Sequence, residues 1–446
     1  MAKPVHPKLP AMDIPSGWNS VDTILPMGES AVIQDHYDWL VIGAGFTGLA
    51  AARRLGDVAP DESVLLVDAK PVGWGASGRN SGFVIDLPHK YDFDNSDRDR
   101  LMKIIHLNRF AIDILEQDVR THEIDCDWSR TGKLQGAVKE RGKGLVRKFV
   151  ETMKMLGEEH TLLERDGCRE IMGTDYYAAA VFTPGSALVN PLALVRGPAK
   201  NLPENVVLAD DTPVAEMTRH GGRFQAKLRS TTGEVRTISA KKIIFGVDPY
   251  LSEFGYLRNR ILPVMTFASI TRPLTATERG AFKGQLNWGL TPADAAGTTL
   301  RMTKDGRLLI RNHYAYAPDY AVRPENLVKV REAQRQGLDA RYPGLAHVPF
   351  SSTWGGVSGL SGNHVSFFGA VADDAYAAGC YNGVGIAKGT VSGRLLVDLA
   401  TGTQSRELDY ILEISGRPSV LPPDPILGVG ATARMKFSEW ESRAEL

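Results

Sequence analysis

The chain has 446 residues, a length that suits two or three domains with sizeable hydrophobic cores. Its 52 basic and 52 acidic residues balance, so no basic field favours nucleic acid as a partner. The three cysteines, Cys126, Cys168 and Cys380, are too few for a disulfide framework and fit no zinc-binding spacing, so we expect no metal site. Without a signal-peptide core or an apolar run of about 18 residues, we expect a cytoplasmic protein with no membrane span.

The first patterned stretch is an apolar run followed by closely spaced glycines. Residues 40–42 predict a buried strand, and Gly43, Gly45 and Gly48 follow in G-x-G-x-x-G spacing before a helix over 49–55. In a dinucleotide-binding unit the first glycine permits a tight turn and the second lets the backbone approach a pyrophosphate, while the third lets the helix pack on the strand. The N–H groups at the helix N-terminus then favour bound phosphate.

A second strand and an acidic residue complete this pattern. The run 63–67 predicts the strand, and Asp68 lies about twenty residues past the third glycine, where a carboxylate binds a ribose hydroxyl. An acid at this position argues against a 2′-phosphate and therefore against NADP. The alternative is a βαβ unit without a ligand, which the combination of strand, glycines, helix and acid disfavours.

A second glycine-rich stretch follows directly. Residues 73–82 contain four glycines interleaved with Ser77, Arg79, Asn80 and Ser81, a composition that fits neither a helix nor a strand. Such a loop can press its backbone against a flat ligand and donate hydrogen bonds to it. The alternative is a flexible surface loop.

These motifs together resemble the FAD-dependent amine and amino-acid oxidases of the D-amino-acid-oxidase-like superfamily, which includes glycine oxidase and sarcosine oxidase. The stretch 73–80 is most similar to the γ-glutamylputrescine oxidase and L-pipecolate oxidase branch. The resemblance implies an α/β fold, in which a Rossmann-type FAD-binding domain is interleaved with an α+β substrate domain that carries a large mixed or antiparallel sheet. It also implies that the second glycine-rich loop runs beside the ribityl chain and ring of the flavin.

The resemblance also implies a division of the chain. The FAD-binding domain is expected over 38–95, 190–250 and 350–400, the substrate domain over 96–189 and 251–349, an N-terminal arm over 1–37 and a C-terminal tail over 401–446. We expect Trp18 to anchor the arm. The proline-containing tail is expected to wrap the surface or to contact another copy in a homo-oligomer.

A second flavin-facing motif is expected near the end of the chain. Gly383 and Gly385 precede the final predicted helix, whose N-terminus would stabilise the anionic N1–C2=O2 locus of a reduced flavin. An NAD-only dehydrogenase would not need this motif, so it favours FAD. The predicted cofactor-binding residues are Gly43, Gly45, Phe46, Thr47, Gly48, Asp68, Ala69, Ala76, Ser77, Arg79, Asn80, Ser81, Gly82, Val214, Gly246, Gly383, Val384, Gly385 and Ile386.

The substrate cavity is less patterned, and no catalytic residue is assigned. The candidates are Arg301, Arg311, Asn312, His313, Tyr314, Tyr316, Trp354 and Lys388, each with a solvated strand face or helix surface as the alternative. Sarcosine oxidases attach the flavin to a cysteine in the region where this chain has Trp354, so we expect non-covalent FAD. The lysine that binds the substrate carboxylate in those enzymes is replaced by Ala387, and Lys388 comes one residue later.

The resemblance implies oxidation of a C–N bond in a small polar amine or amino acid. A hydride passes to flavin N5, the imine is hydrolysed, and dioxygen is the expected acceptor. One alternative is a dehydrogenase of the same fold that passes electrons to a quinone or carrier, and another is a flavin-binding protein without turnover. The chemistry needs a C–H bond held above N5 and an uncharged amine, and it needs no strong acid–base pair.

Overall fold

The computed structural model describes residues 4–11, 14–19, 27, 32–93 and 97–446, so most of the predicted arm between 20 and 31 lies outside it. The strands are β1 (His36–Ile42), β2 (Val64–Val67), β3 (Phe83–Val84), β4 (Lys133–Ala137), β5 (Thr161–Glu164), β6 (Ala179–Thr183), β7 (Ala187–Leu188), β8 (Val206–Ala209), β9 (Val214–His220), β10 (Arg223–Arg229), β11 (Val235–Phe245), β12 (Leu262–Thr271), β13 (Trp288–Pro292), β14 (Thr299–Met302), β15 (Leu308–Tyr316), β16 (Phe350–Leu360), β17 (Phe367–Ala372) and β18 (Ala375–Gly379). The α-helices are α1 (Phe46–Val58), α2 (Arg98–Thr121), α3 (Glu140–Leu156), α4 (Arg165–Met172), α5 (Pro191–Lys200), α6 (Ala276–Phe282), α7 (Pro324–Arg341), α8 (Gly385–Thr401), α9 (Arg406–Ile414) and α10 (Ile426–Glu441).

The first sheet has the order β17-β18-β11-β1-β2-β8, with the β9–β10 hairpin continuing from β11. Strands β18, β11, β1, β2 and β8 run parallel, and Ile42 stands beside both Val67 and Phe245 at the carboxyl edge. The parallel strands are covered on both faces, which explains why β2 is apolar at every position. Ligands of such sheets bind outside the carboxyl ends of the strands.

The second sheet has the order β16-β12-β15-β14-β13-β4-β6-β5 and is antiparallel apart from the β13–β4 pair. Together the two sheets confirm the expected α/β fold with a large mixed sheet in addition to the dinucleotide-binding one. A short third pair joins β3 to β7.

One predicted boundary needs correction. Residues 350–360 were assigned to the FAD-binding domain, yet β16 pairs with β12 along its length in the second sheet. The glycine pair at 355–356 therefore lies within a strand, where Gly356 stands opposite Thr266. The first sheet resumes only at Phe367, the first residue of β17.

Helices α1 and α8 pack against each other on one face of the first sheet, although they come from opposite ends of the chain. The approach is close because a side chain at Gly393 would place its Cβ 2.0 Å from the carbonyl oxygen of Thr47. This packing fixes the N-terminus of α8 beside the N-terminus of α1.

The segments outside the two sheets are attached to them. At the N-terminal end Val5 pairs with Met217 of β9, and the indole N–H of Trp18 donates to the carbonyl of Asn80, so Trp18 anchors the arm as expected. At the other end α10 packs against β15. In the described part of the chain, every helix is too short or too polar to cross a membrane.

Candidate functional site

A cavity of about 300 Å³ lies between the carboxyl edge of the first sheet and one face of the second sheet. It is lined by the residues that follow β1, β2 and β11, by the second glycine-rich loop, and by side chains of β12, β14, β15 and β16. Every predicted cofactor-binding residue lines this cavity except Gly48 and Gly82.

Gly48 and Gly82 are required by packing instead. A Cβ on Gly48 would stand 1.7 Å from the carbonyl oxygen of Gly43, so only glycine lets α1 approach the strand this closely. A Cβ on Gly82, whose φ is +76°, would stand 2.1 Å from the guanidinium of Arg301. Both glycines therefore allow close packing next to the cavity without lining it themselves.

The N-terminus of α1 opens onto the cavity. The N-cap residue, Gly45, has no side chain with which to cap the helix, and the first turn holds no acidic residue. The hydroxyl of Ser77 accepts a hydrogen bond from the N–H of Phe46 at 3.2 Å. The remaining N–H groups of the first turn and the positive end of the helix dipole make this a site for a phosphate.

The N-terminus of α8 opens onto the same cavity. Its N-cap, Val384, gives no side-chain cap, and its first turn also lacks an acidic residue. Gly383 has a φ of +88°, and a Cβ there would meet open space. The hydroxyls of Thr47 and Tyr381 share a hydrogen bond of 2.7 Å, which ties α1 to the turn before α8. Two helix N-termini therefore face one cavity from separate parts of the chain.

Asp68 lies at the end of β2, as predicted. Its carboxylate accepts hydrogen bonds from the backbone N–H of Ala44 at 2.7 Å and of Lys70 at 3.0 Å. Burial raises the pKa of Asp68 to about 6, although these two hydrogen bonds act in the opposite direction. The carboxylate is thus fixed beside the first glycine turn, in position to bind a ribose hydroxyl.

Arg79 lines the cavity, and its guanidinium donates hydrogen bonds to backbone carbonyls of three separate segments. It donates to the carbonyls of Trp74 at 2.5 Å, Gly355 at 3.0 Å and Ile14 at 2.5 Å. These bonds connect the second glycine-rich loop to β16 and to the N-terminal arm. We predict from the sequence that Arg79 contacts the flavin. In the structure its guanidinium also stabilises the position of the loop against β16 and the arm.

Arg301 supports the same loop from the second sheet. Its side chain is 1% exposed and donates to the carbonyls of Ser81, Gly82 and Val189. Burial lowers the pKa of Arg301 to about 10, so the group remains charged at neutral pH. Arg301 is a substrate-cavity candidate from the sequence, but it lies outside the cavity lining and donates hydrogen bonds to the backbone of the loop.

Arg311 and Trp354 are the two substrate candidates that line the cavity. The guanidinium of Arg311 stacks on the ring of Tyr314 at 5.4 Å, and no hydrogen bond or ion pair joins it to another residue in the described ranges. The buried indole of Trp354 donates to the carbonyl of Arg79 at 2.9 Å. Arg311 is therefore a cation with its hydrogen-bonding capacity still available.

The remaining candidates lie outside the cavity lining. Lys388 forms an ion pair with Asp92 at 2.9 Å, and His313 contacts Glu439 of α10 at 3.3 Å. Although burial acts to raise it, hydrogen bonds from His313 and a neighbouring lysine hold the pKa of Glu439 at about 2. Tyr314, Asn312 and Tyr316 also lie away from the cavity, where Asn312 bonds to Thr298 and Tyr316 to Asp424.

The structure adds cavity residues that sequence reasoning missed. The hydroxyl of Tyr250 is buried and has no hydrogen-bond partner in the described part of the chain, yet the residue lines the cavity. Its place just after β11, at the carboxyl edge of the sheet, is the signal that could have found it. Further missed lining residues are Pro7, Lys8, Leu9, Pro10, His89, Thr266, Thr291 and Thr299.

The donor set of the cavity fits a flavin dinucleotide. Two uncapped helix N-termini suit a pyrophosphate and an electron-rich ring edge, Asp68 suits a ribose, and the unpaired hydroxyl of Tyr250 offers a further hydrogen bond. Within the described ranges no group of three His, Cys, Asp or Glu residues could hold a metal ion.

Comparison with known proteins agrees with this geometry. The chain is 26% identical over 381 residues to a probable oxidoreductase, OrdL, of Haemophilus influenzae, covering 83% of this chain and 84% of that protein. It is 24% identical over 376 residues to gamma-glutamylputrescine oxidoreductase of Escherichia coli, covering 83% and 84%. The crystal structure of glycine oxidase from Geobacillus kaustophilus superposes with a TM-score of 0.69 and 16% identity, covering 84% of this chain and 96% of that one.

The family described as FAD dependent oxidoreductase (DAO) matches residues 38–399, which spans both glycine-rich motifs and most of α8. The match confirms the resemblance found in the sequence, and the gamma-glutamylputrescine oxidoreductase relative agrees with the expected branch. The chain is thus a member of the FAD dependent oxidoreductase family, and FAD is its cofactor.

Proposed function

We propose that this enzyme oxidises a C–N bond in a small polar amine or amino acid that carries a carboxylate. The proposal rests on the family and on its amine- and amino-acid-acting relatives, and the single structural observation that carries it is Arg311. This arginine lines the cavity and has no partner for its guanidinium in the described part of the chain. A planar carboxylate is the ligand that a guanidinium binds best.

The neighbours of Arg311 suit a polar and otherwise neutral substrate. Thr299 stands beside Arg311 across the β14–β15 pair, Ala268 stands beside it on β12, and both line the cavity. Thr266, two residues before Ala268 on the same face, adds a hydroxyl. These side chains can hold a substrate by one charged and several neutral contacts without supplying a strong acid or base.

Bound FAD supplies the acceptor for a hydride from the carbon next to the amine nitrogen, and water hydrolyses the imine that results. The task of the protein is to hold that carbon in place and to favour the uncharged amine. Arg311 would orient the substrate by its carboxylate, while the wall formed by Trp354 restricts access to water. We propose that FAD is bound non-covalently, because Cys126, Cys168 and Cys380 are all absent from the cavity lining.

The test is anaerobic mixing of the purified holoenzyme with a panel of amines and amino acids, followed by the visible absorbance of the flavin. Bleaching by carboxylate-bearing amines is the expected result. Admitting air then separates an oxidase, which recovers its colour within the turnover time, from a dehydrogenase, which recovers only with a quinone or another carrier. If the flavin of a fully loaded protein resists every amine, the non-catalytic flavin-binding alternative replaces the proposal.

Arg311→Met tests the carboxylate contact. We expect the KM for a carboxylate-bearing substrate to rise roughly 30- to 150-fold, since a charge-assisted pair contributes about 2–3 kcal/mol. Arg311→Lys should recover part of this loss. The matched control is Arg323→Met, which removes a surface arginine whose one ion pair within the described ranges is with Asp319. A KM that stays unchanged in Arg311→Met would remove the carboxylate from the proposal and leave amine oxidation untouched.

A further inference from the structure

The N-terminal arm is attached to the first sheet at β9, close to the cavity residue Val214. Val5 and Met217 of β9 exchange two backbone hydrogen bonds, each of 2.9 Å, as a single antiparallel bridge. Three residues before Met217 on the same strand, Val214 lines the cavity. The start of the arm is therefore fixed next to a wall of the cofactor site by contacts of the main chain.

The other end of the arm is attached to the second glycine-rich loop. The hydroxyl of Ser16 donates to the carbonyl of Gly78 at 3.0 Å, and the indole N–H of Trp18 donates to the carbonyl of Asn80 at 2.7 Å. In return Arg79 donates to the carbonyl of Ile14 at 2.5 Å. These three bonds go to consecutive parts of the loop that lines the cavity.

Between its two attachments the arm forms part of the cavity wall. Residues 7–10, with the sequence Pro-Lys-Leu-Pro, line the same cavity as Gly43, Gly45 and Asp68. The two prolines restrict the backbone and cannot donate to a sheet, so this stretch stays extended instead of joining β9 as a longer strand. Lys8 and Leu9 are exposed on their outer side, so the arm separates the cavity from solvent here.

The arm lies before residue 38, where the family match begins. Within the matched region the cavity walls are the ends of strands and the N-termini of helices, which the two sheets hold in place. The arm is held by a few hydrogen bonds at each end. A wall of this kind can open without disturbing the sheets.

We propose that the described parts of the arm, residues 5–11 and 14–18, form a strap across the cofactor cavity that controls how fast FAD enters and leaves. The inference rests on the assignment of FAD to the cavity and not on the identity of the amine that is oxidised. When the strap is closed, the stretch 7–10 blocks one side of the cavity, and FAD leaves only after both attachments have broken. The strap then slows the exchange of FAD without taking part in turnover.

The first experiment locks the attachment at β9. In a hydrogen-bonded antiparallel pair the Cα atoms lie about 5.5 Å apart, which is within the range that a disulfide spans. We would therefore combine Val5→Cys with Met217→Cys in the full-length holoenzyme, where the native Cys126, Cys168 and Cys380 are buried and do not compete. Release of FAD is followed by the rise of free-flavin fluorescence after dilution.

With the disulfide formed, we expect FAD release at least tenfold slower than in the same sample after reduction with dithiothreitol. Each sample is its own control, because only the bond between residues 5 and 217 changes. Equal release rates in the two redox states, with the disulfide confirmed by mass spectrometry, would overturn the proposal. The readout is flavin release and needs no substrate, so its failure is distinct from a failure of the proposed amine oxidation.

A second variant loosens the other attachment and decides the matter if the engineered disulfide does not form. Trp18→Phe keeps an aromatic ring at this position but removes the indole N–H that donates to the carbonyl of Asn80. We expect FAD release about fivefold faster, with the thermal stability of the apoprotein nearly unchanged. The matched control is Trp440→Phe on the exposed side of α10, which should leave the release rate as it is. Identical rates in Trp18→Phe and the wild type would count against the strap.

Discussion

Two glycines of the first motif, Gly45 and Gly48, carry different constraints. A Cβ on Gly45 would meet the hydroxyl oxygen of Ser77 at 2.7 Å, and a serine side chain can rotate away. A Cβ on Gly48 would meet the carbonyl oxygen of Gly43 at 1.7 Å, which is main chain and cannot rotate. The same substitution therefore has a local result at one site and displaces a helix at the other.

We predict that Gly48→Ala destabilises the protein by about 3 kcal/mol, because α1 must move away from β1 to make room. Gly45→Ala should cost less than about 1 kcal/mol in stability but weaken FAD binding, since Ser77 leaves the N–H of Phe46 and crowds the cavity. Thermal unfolding of the apoprotein and the ratio of flavin to protein absorbance measure the two effects. Equal losses of stability in the two variants would contradict this distinction.

At the scale of elements, the second glycine-rich loop depends on a side chain from the other sheet. Arg301 of β14 donates hydrogen bonds to the carbonyls of Ser81, Gly82 and Val189. The indole of Trp18 stacks on the same guanidinium, at 5.0 Å from its ring centre. The loop that faces the cofactor is thereby held by a residue that does not line the cavity.

Arg301→Met should destabilise the protein by about 3 kcal/mol, because the carbonyls of Ser81 and Val189 lose the guanidinium as donor, whereas the carbonyl of Gly82 keeps the N–H of Val189. It should also lower the FAD occupancy of the purified protein, although residue 301 lies outside the cavity lining. Arg301→Lys keeps a charge and part of the hydrogen bonding, so its loss should be smaller. Arg279→Met, at an exposed position of α6, is the control. A flavin content equal to that of the wild type in Arg301→Met would show that the loop holds its shape without this support.

The contrast between Arg301 and Arg311 shows where sequence reasoning ends. The G-x-G-x-x-G motif and Asp68 could be predicted because their function depends on local spacing, and the structure lines the cavity with Gly43, Gly45 and Asp68. The two arginines lie on neighbouring strands of one hairpin. Nothing in their local sequence indicates that Arg301 binds the second glycine-rich loop whereas Arg311 lines the cavity. That depends on contacts between distant parts of the chain.

The same reason explains the boundary at β16 and the missed tyrosine. Nothing in the sequence of β16 shows which sheet it joins, and its pairing with β12 places it in the second sheet. Tyr250 becomes a cavity residue only because β11 ends beside β1. The fold class and the cofactor motifs were accessible from the sequence, whereas the substrate side required the packing of one sheet against the other.

At the scale of the whole molecule, the end of the chain is fixed in the second sheet's domain. Glu445 is 3% exposed, and its carboxylate accepts hydrogen bonds from the backbone N–H of Val138 at 3.3 Å and of Asp294 at 3.4 Å. Its backbone carbonyl accepts a bond of 2.7 Å from buried Arg341. Burial and the nearby charge of Asp294 raise the pKa of the Glu445 carboxyl to about 7.

This raised pKa predicts how stability depends on pH. The folded state holds the proton more tightly than the unfolded state, whose glutamate has its usual pKa of 4.5, so this group's contribution to stability falls as the pH rises from 4.5 to about 7. Glu445→Gln stays neutral at every pH. Its stability relative to the wild type should therefore improve by about 2 kcal/mol between pH 5 and pH 8.

Urea unfolding of both proteins at the two pH values measures this difference. Glu325→Gln, at an exposed position in the first turn of α7, is the control and should show no such trend. A difference between Glu445→Gln and the wild type that is the same at pH 5 and pH 8 would mean that the carboxyl is ionised throughout.

The two helix N-termini that face the cavity also constrain how the protein is made. Gly45 and Gly385 are 340 residues apart, and β18, which leads into the second of these helices, lies inside the first sheet beside β11. A ribosome must therefore synthesise the chain through α8 before both ends of the cavity exist. A nascent polypeptide that lacks α8 offers the vitamin-derived cofactor only part of its binding site, so full capture of FAD waits until α8 has joined α1 on the first sheet.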